Sequence, residues 1–340
     1  MGERSKVYMT DLRCRPGVSL LNKLEKLMRT AGIGEINFER KLVAIKMHFG
    51  EPGNLAFLRP NYAKVVADVV KSLGGVPFLT DCNTLYPGRR KNALEHLDAA
   101  YENGFSPLST GCQVIIGDGL RGNDDVEVPV EGAEYIQTAK IGKAIMEADV
   151  IISLSHFKGH EQTGFGGAIK NLGMGCGSRR GKMEQHAQGK PMVAPRRCVG
   201  CRRCATQCAH GAITFGEDRK ASIDWDKCVG CGRCIAVCNT DAIRPGNDAA
   251  MEELGCRMAE YAKAVVDGRP QFHISLVMDV SPFCDCHAEN DIPIIPDVGM
   301  FASFDAVALD QACADACLRQ PVMPGSRRSV PPHRGLRGPP

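Results

Sequence analysis

The chain has 340 residues, 44% of them hydrophobic, enough to bury a sizeable core in two or three domains. Lys and Arg total 42 against 39 Asp and Glu, a formal charge of +3, and without Arg327, Arg328, Arg334 and Arg337 the balance is −1. A body so close to neutral argues against nucleic acid and against an acidic membrane surface as partners. The opening MGERSKVYMT has no apolar h-region, and no stretch reaches the roughly 20 apolar residues that cross a bilayer, so the expected compartment is the cytoplasm. Seventeen cysteines in a long chain without a secretory signal point to metal ligation or reactive thiols rather than disulfides.

From the amino end, short apolar runs alternate with helical periods, the signature of an α/β fold with a mixed or parallel sheet and crossover helices. Strands are expected at 6–12, 42–49, 77–81, 113–117 and 150–155, and helices at 20–30, 62–73, 93–102 and 138–148. Gly117-Asp118-Gly119-Leu120-Arg121-Gly122 matches the G-x-G-x-x-G dinucleotide fingerprint. It is followed by NDDVEVPVEG, which reads as strand or turn, so no helix N-terminus is expected there to hold a pyrophosphate.

The strand ending at 155 runs into HFKGHEQTGFGGAIKNLGMG at 156–175. Loops at the carboxyl ends of strands in open α/β sheets are where ligands sit, and glycines allow close backbone approach. His156, Lys158, His160 and Lys170 are therefore the candidate catalytic residues, acting as donors, bases or ligands toward a small-molecule substrate or anion. The bland reading is a loop whose charges face water or the segment that follows. Ser178-Arg179-Arg180-Gly181-Lys182 is a basic run, read as a solvated face rather than a steering patch for an acidic partner.

Residues 198–213 read CVGCRRCATQCAHGAI and residues 228–243 read CVGCGRCIAVCNTDAI, one C-x2-C-x2-C-x3-C motif repeated with a 30-residue period. Three closely spaced thiolates can wrap three irons of a cubane while a fourth reaches away. Thiolate is the protein ligand matched to soft iron–sulfide cages. Zinc ribbons offer two C-x2-C pairs instead of runs of four. Gly200, Gly230 and Gly232 allow tight turns that free amide N–H groups for cluster sulfurs. The repeat resembles the bacterial two-cluster ferredoxin family over about 50 residues. In that family the fourth cysteine ligates the other cluster. The resemblance thus implies two 4Fe-4S clusters, one on Cys198, Cys201, Cys204 and Cys238, the other on Cys228, Cys231, Cys234 and Cys208. The family usually has Pro after the fourth cysteine, whereas Ala209 and Asn239 stand here. Between the halves, ITFGEDRKASIDWD reads as a hairpin turning at Gly216-Glu217-Asp218, with Trp225 packing against it.

Beyond the repeat a helix is expected at 249–266, strands at 274–280 and 292–295, and a helix at 305–319. Cys284-Asp285-Cys286-His287 packs three soft or borderline ligands into four residues, making Cys284, Cys286 and His287 candidates for a further metal ion completed by Cys176, His48 or the 156–160 histidines. Cys14, Cys82, Cys112 and Cys256 are scattered singly, and Cys313 and Cys317 share a helix face with Leu309 and Ala316, which reads as core packing.

This layout, with HFKGHEQTGFGGAIKNLGMG and IPIIPDVGMFASFDAVALDQA at 292–312, resembles the domain-of-unknown-function 362 family with an embedded ferredoxin, over roughly residues 5–322. The resemblance implies an α/β domain of residues 1–190 and 246–325, interrupted by a small α+β ferredoxin-like insertion at 191–245, and a setting in anaerobic or redox-rich metabolism. The segment 326–340, rich in Arg, Pro and Gly, is expected to be disordered. Two functions follow. One is a redox protein relaying electrons between the clusters and a site in the α/β domain, with a redox protein partner. The other is a non-catalytic carrier or maturation factor that docks on a larger oxidoreductase.

Overall fold

The structure, a computed structural model, describes residues 5–326 apart from 86–87, 161, 187–190, 207, 209, 229–233, 235–237, 239, 241 and 246–248. Cys231, Gly230, Gly232, Ala209, Asn239 and the tail 327–340 lie outside the described residues. Ser326, where the disordered tail was expected to begin, is buried, and its N–H donates to the Met323 carbonyl at 3.2 Å.

In chain order the first elements are β1 (Tyr8–Thr10), α1 (Leu20–Thr30), β2 (Leu42–Lys46), α2 (Pro60–Ser72), β3 (Val76–Asp81), α3 (Ala93–Glu102), α4 (Pro107–Thr110), β4 (Gln113–Ile116), β5 (Asp125–Pro129), β6 (Thr138–Gly142), α5 (Lys143–Glu147) and β7 (Val150–His156). Next come β8 (Lys158–His160), β9 (Gly164–Gly166), α6 (Ala168–Cys176), α7 (Arg179–Gln185), β10 (Pro191–Val193), α8 (Arg203–Thr206), β11 (Ile213–Phe215), β12 (Ala221–Ile223) and β13 (Ile243–Pro245). The last are α9 (Ala249–Val266), β14 (Gln271–Val277), β15 (Gly299–Ser303) and α10 (Ala306–Leu318).

Seven strands form one sheet in the order β1-β15-β14-β7-β2-β3-β4. The five from β14 to β4 run parallel, while β15 lies antiparallel to β14 and β1 antiparallel to β15. The fold is therefore α/β around a mixed, mostly parallel sheet, and the late strands rejoin the early ones across the cysteine repeat. A parallel sheet covered on both faces needs strands apolar on both sides, and all seven residues of β7 are buried. Along it Ile152 and Leu154 join the core built by Leu24, Leu27 and Met28 of α1 and Val66 and Val70 of α2. The alternate residue Ile151 joins Leu172 of α6, Tyr261 and Val265 of α9 and Leu309 of α10. Each such fully buried aliphatic side chain contributes about 1.5–3 kcal/mol. The start of α1 is set by a capping box in which Asn22 N–H donates to Ser19 Oγ at 3.2 Å and Ser19 N–H to Asn22 Oδ1 at 3.0 Å.

Two expected elements differ. The helix expected at 138–148 is strand β6 followed by the short α5, because Ala139 and Ile141 are buried with a period of two and pair in register with Val128 and Val126 of β5. The strand expected at 292–295 is irregular, since Pro293 and Pro296 remove ladder donors on both sides, and β15 takes the place beside β14. Conversely, α6 and α7 form where the glycines suggested only loop. Gly173 packs so close to α9 that an added Cβ would collide with the Met258 carbonyl. Gly173→Ala is accordingly expected to cost about 1–3 kcal/mol, read as a lower thermal midpoint. An unchanged midpoint would show that the helix pair gives way freely. The 117–122 glycine motif leads into β5, as its sequence indicates.

The 191–245 segment has its own small core of Cys198, Cys204, Ile213, Ala221, Cys234, Ala242 and Ile243. Strand β10 pairs antiparallel with β13, closing the two ends of the segment, and β11 pairs with β12 as the expected hairpin. Trp225 departs from expectation, with 49% of its surface exposed. Among the described residues no helix is long and apolar enough to cross a membrane.

Candidate functional site

From the neighbouring strands β2 and β7 the chain proceeds in opposite directions, to β3 and β4 on one side and to β14 on the other. Such a switch leaves a crevice at the carboxyl ends of the strands. Buried polar groups fill it. Lys46 closes β2 with 1% of its side chain exposed, and its Nζ lies 3.0 Å from Asp81 Oδ1 at the end of β3 and 2.8 Å from Asn171 Oδ1 of α6. The Asn171 amide returns to the Lys46 carbonyl at 2.9 Å and to Ser155 Oγ at 3.2 Å, bridging β2 and β7. Burial alone would raise the Asp81 carboxyl, but Lys46, His48 and His96 overcome it and hold Asp81 far below the usual carboxylate range.

At the end of β7, His156 Nδ1 donates to Asp285 Oδ1 at 2.9 Å and Nε2 donates to the Met278 carbonyl at 2.8 Å. Both nitrogens face acceptors, so the ring is fully satisfied only when doubly protonated. Lys158 Nζ lies 3.3 Å from Asp285 Oδ2. Burial would raise Asp285 as well, yet His156 and Lys158 press it far below its ordinary range. Just past the end of the neighbouring strand β2, His48 accepts from Gly50 N–H at 2.9 Å and faces Arg90 Nη1 at 2.8 Å, while Arg90 Nε donates to Glu51 Oε2 at 2.7 Å. Burial, then the Arg90 charge, holds His48 well below its usual value.

Lys170 of α6 reaches the turn after β14, placing its Nζ 3.0 Å from Cys284 Sγ. His160 Nδ1 accepts from the N–H groups of Gln162 and Thr163 at 3.1 and 3.2 Å, so its proton sits on Nε2, and the ring hydrogen-bonds Cys284. A hydrogen bond from Cys286 comes first among the influences that hold the Cys284 thiol well below its ordinary value. Burial opposes it, and Lys170, His160 and Lys158 add to the lowering. The same bond pushes Cys286 well above. His186, after α7, is pushed down to about 4 by burial and then by Lys170 and His160.

The four residues singled out in 156–170 thus meet on the turn after β14, with roles divided: His156 and Lys158 pair with Asp285, while His160 and Lys170 face Cys284. His48 joins the same cluster. Cys176 does not, lying instead under Cys82, whose thiol donates to the Cys176 carbonyl at 3.4 Å. His287 rests edge-on against Phe283 at 6.2 Å. Among the described residues no three His, Cys, Asp or Glu side chains converge to hold a single metal ion. The basic run at 178–182 is solvated at Arg180, whose side chain is 54% exposed, and tied inward at Lys182. Arg180 pairs with Asp125 at 2.8 Å and Glu127 at 2.9 Å, and the buried Lys182 donates to the Gly177 carbonyl at 2.5 Å. Lys46, Glu51, Asp81, Arg90 and Asp285 escaped sequence reasoning, although Lys46 and Asp81 each close an apolar strand, the same position that singled out His156. Cys82, Cys112 and Cys313 are buried, whereas Cys14 and Cys256 are exposed.

A second constellation lies in the 191–245 segment. Cys198, Cys201, Cys204 and Cys238 line one partly open pocket, together with Val199, Phe215 and Ile243. Ala221 N–H donates to Cys198 Sγ at 3.4 Å and Ala212 N–H to Cys208 Sγ at 3.3 Å. Burial would raise the Cys238 thiol, but donors from Ile243, Thr240 and Ala242 lower it below its ordinary value. Thiolates spread around a shared space and backed by N–H donors suit a cubane, whose irons sit apart, better than a single ion. The donor set fits that group. Of the other set, Cys208, Cys228 and Cys234 are described, and Cys231 is not.

Known proteins share parts of this sequence and fold. The thylakoid-associated protein sll1697 of Synechocystis is 29% identical over 163 residues, 46% of this chain and 46% of that protein, so the match spans about half of each. The lactate racemase apoprotein from Thermoanaerobacterium thermosaccharolyticum superposes with a TM-score of 0.38 at 11% identity, covering 77% of this chain and 46% of that one. A crystal structure of a protein from Thermotoga maritima gives 0.43 at 13% identity, covering 88% and 57%. A family model matches residues 43–315, which span the strands from β2 to β15 and include every group of the carboxyl-edge cluster, and the chain therefore belongs to the family described as Domain of unknown function (DUF362).

Proposed function

We propose that this chain is an iron–sulfur redox protein in which residues 191–245 form an embedded two-cluster ferredoxin unit, exchanging electrons with the buried site at the carboxyl edge of the sheet. One observation carries the reading. Three cysteines of the first motif and the last cysteine of the second line a single pocket, the crossed set that the resemblance to two-cluster ferredoxins implies. Cys198, Cys201, Cys204 and Cys238 would hold one 4Fe-4S cluster and Cys208, Cys228, Cys231 and Cys234 the other. Such clusters supply single-electron exchange at a potential set by their surroundings. The chain's own part is to supply the thiolates with N–H donors, as Ala221, Ala212 and Ile243 do, and to bury Cys198, Cys204 and Cys234. At the sheet edge, paired buried charges hold the Cys284–Cys286 turn in place.

Anaerobically purified protein is expected to contain about eight iron and eight sulfide per chain and to give the EPR signal of coupled reduced clusters. Cys201→Ala is expected to lose about half of the iron, and unchanged iron in that variant would refute the ligand assignment. Zinc without sulfide would overturn the reading altogether.

A further inference from the structure

We propose that Cys284 and Cys286 form a redox-active dithiol–disulfide couple at the carboxyl edge of the sheet, with Lys170 and His160 holding the Cys284 sulfur as the thiolate of the reduced state. The geometry is specific. Lys170 Nζ stands 3.0 Å from Cys284 Sγ, Cys284 is 1% exposed, and Cys286, one residue beyond Asp285, is partly open to solvent. The neighbouring cations already have anionic partners: Lys46 has Asp81, Arg90 has Glu51, and Lys158 shares Asp285 with His156. Lys170 Nζ faces the Cys284 sulfur. The hydrogen bond between the two thiols lowers Cys284 and raises Cys286, and Lys170, His160 and Lys158 act in the same direction on Cys284. A lowered thiol at a cationic site is the microenvironment of a reactive cysteine rather than a packing one.

The half-reaction balances on this state. Oxidation takes two electrons and one proton from the pair. The Cys286 S–H bond breaks, the proton leaves to solvent, and the Cys284–Cys286 S–S bond forms. Reduction returns one proton and two electrons, one from each of two one-electron iron–sulfur donors, so the direction of flow rests on the reading given under Proposed function. A disulfide across one intervening residue is strained, which raises its potential and makes it an acceptor. Asp285 between the two cysteines is pinned by His156 and Lys158, so the turn stays fixed while the S–S bond forms and breaks.

The test uses the anaerobically purified full chain, assayed for iron and sulfide, then poised in a series of glutathione redox buffers from fully reduced to fully oxidised, blocked with N-ethylmaleimide and mapped by mass spectrometry. The expected product is a fragment in which Cys284 and Cys286 are linked, lighter by two hydrogens and unblocked at both. It should revert to the dithiol with dithionite and be absent in Cys284→Ser and Cys286→Ser. Lys170→Met is expected to slow iodoacetamide alkylation of Cys284 roughly tenfold near neutral pH. If both cysteines carry the blocking group at every poise, or if Lys170→Met leaves the alkylation rate unchanged, the proposal falls. Because iron and sulfide are measured on the same sample, a linked fragment in iron-free protein would uphold the couple and overturn the electron-relay reading instead.

Discussion

Replacing Asp285 by Asn is expected to lower stability by about 3–5 kcal/mol at neutral pH, because the amide keeps the shape of the side chain but strips the counter-charge from the buried Lys158 and the anionic acceptor from the His156 ring. His156 and Lys158 are both buried, and Asp285 itself is 1% exposed, so water cannot replace the lost partner. In a chain of this size the loss should lower the anaerobic thermal midpoint by roughly 6–15 °C. The pH dependence gives the sign. Since the folded carboxyl titrates far below its ordinary value, its contribution is fully present above the unfolded pKa near about 3.9 and is lost as pH falls below it. The gap between wild type and variant should therefore close in acid. Adding Lys158→Met to the Asn variant removes the stranded cation and should recover part of the loss. A flat pH dependence of the gap, or a cost below about 1 kcal/mol, would show that the triad is solvated rather than sealed.

What could be read from the sequence followed the range of the interactions. The cysteine repeat stood out because each of its two motifs is a short local run, and four of its cysteines, drawn from both motifs, line the same pocket. Strands such as β3 and β4 and helices α1, α3 and α9 were legible because an apolar period over a few residues fixes them. The cluster at the sheet edge was half legible. His156 and Lys170 stood out after a strand in a glycine-rich stretch, but the ion pair of His156 spans 129 residues and that of Lys46 joins two strand ends. Neither partner can be inferred before the strand order is known. The glycines of α6 misled for a related reason. Gly173 and Gly175 read as loop flexibility, whereas they are the clearance that lets α9 and the Lys46 side chain approach a helix. In β6 a two-residue period was hidden inside a segment whose apolar spacing also fitted a helix.

The helix that carries Lys170 and Asn171 supplies a prediction of opposite sign. Asp310 of α10 caps it from outside, its carboxylate accepting from Ala168 N–H at 2.7 Å and Ile169 N–H at 2.9 Å, and at Gly167 an added Cβ would strike that carboxylate. Burial dominates and pushes the Asp310 carboxyl up to about 6, with the two N–H donors and Lys158 only partly offsetting it. The folded state then holds this proton more tightly than the unfolded chain, whose pKa is near about 3.9. Stability from this group is present at low pH and declines as pH rises through the interval between the two values, by about 3 kcal/mol in all. Asp310→Asn removes the titration while keeping an acceptor for α6. The variant is thus expected to gain on wild type between about pH 4 and pH 8, the reverse of the Asp285 result. Because the comparison is a difference, contributions from Asp81 and Asp285 cancel. Thermal midpoints of both proteins across that range at fixed ionic strength decide it. A difference that does not change with pH would mean that the capping N–H groups stabilise the charged carboxylate as strongly as burial opposes it, and the start of α6 would then be held by an ordinary ionised cap.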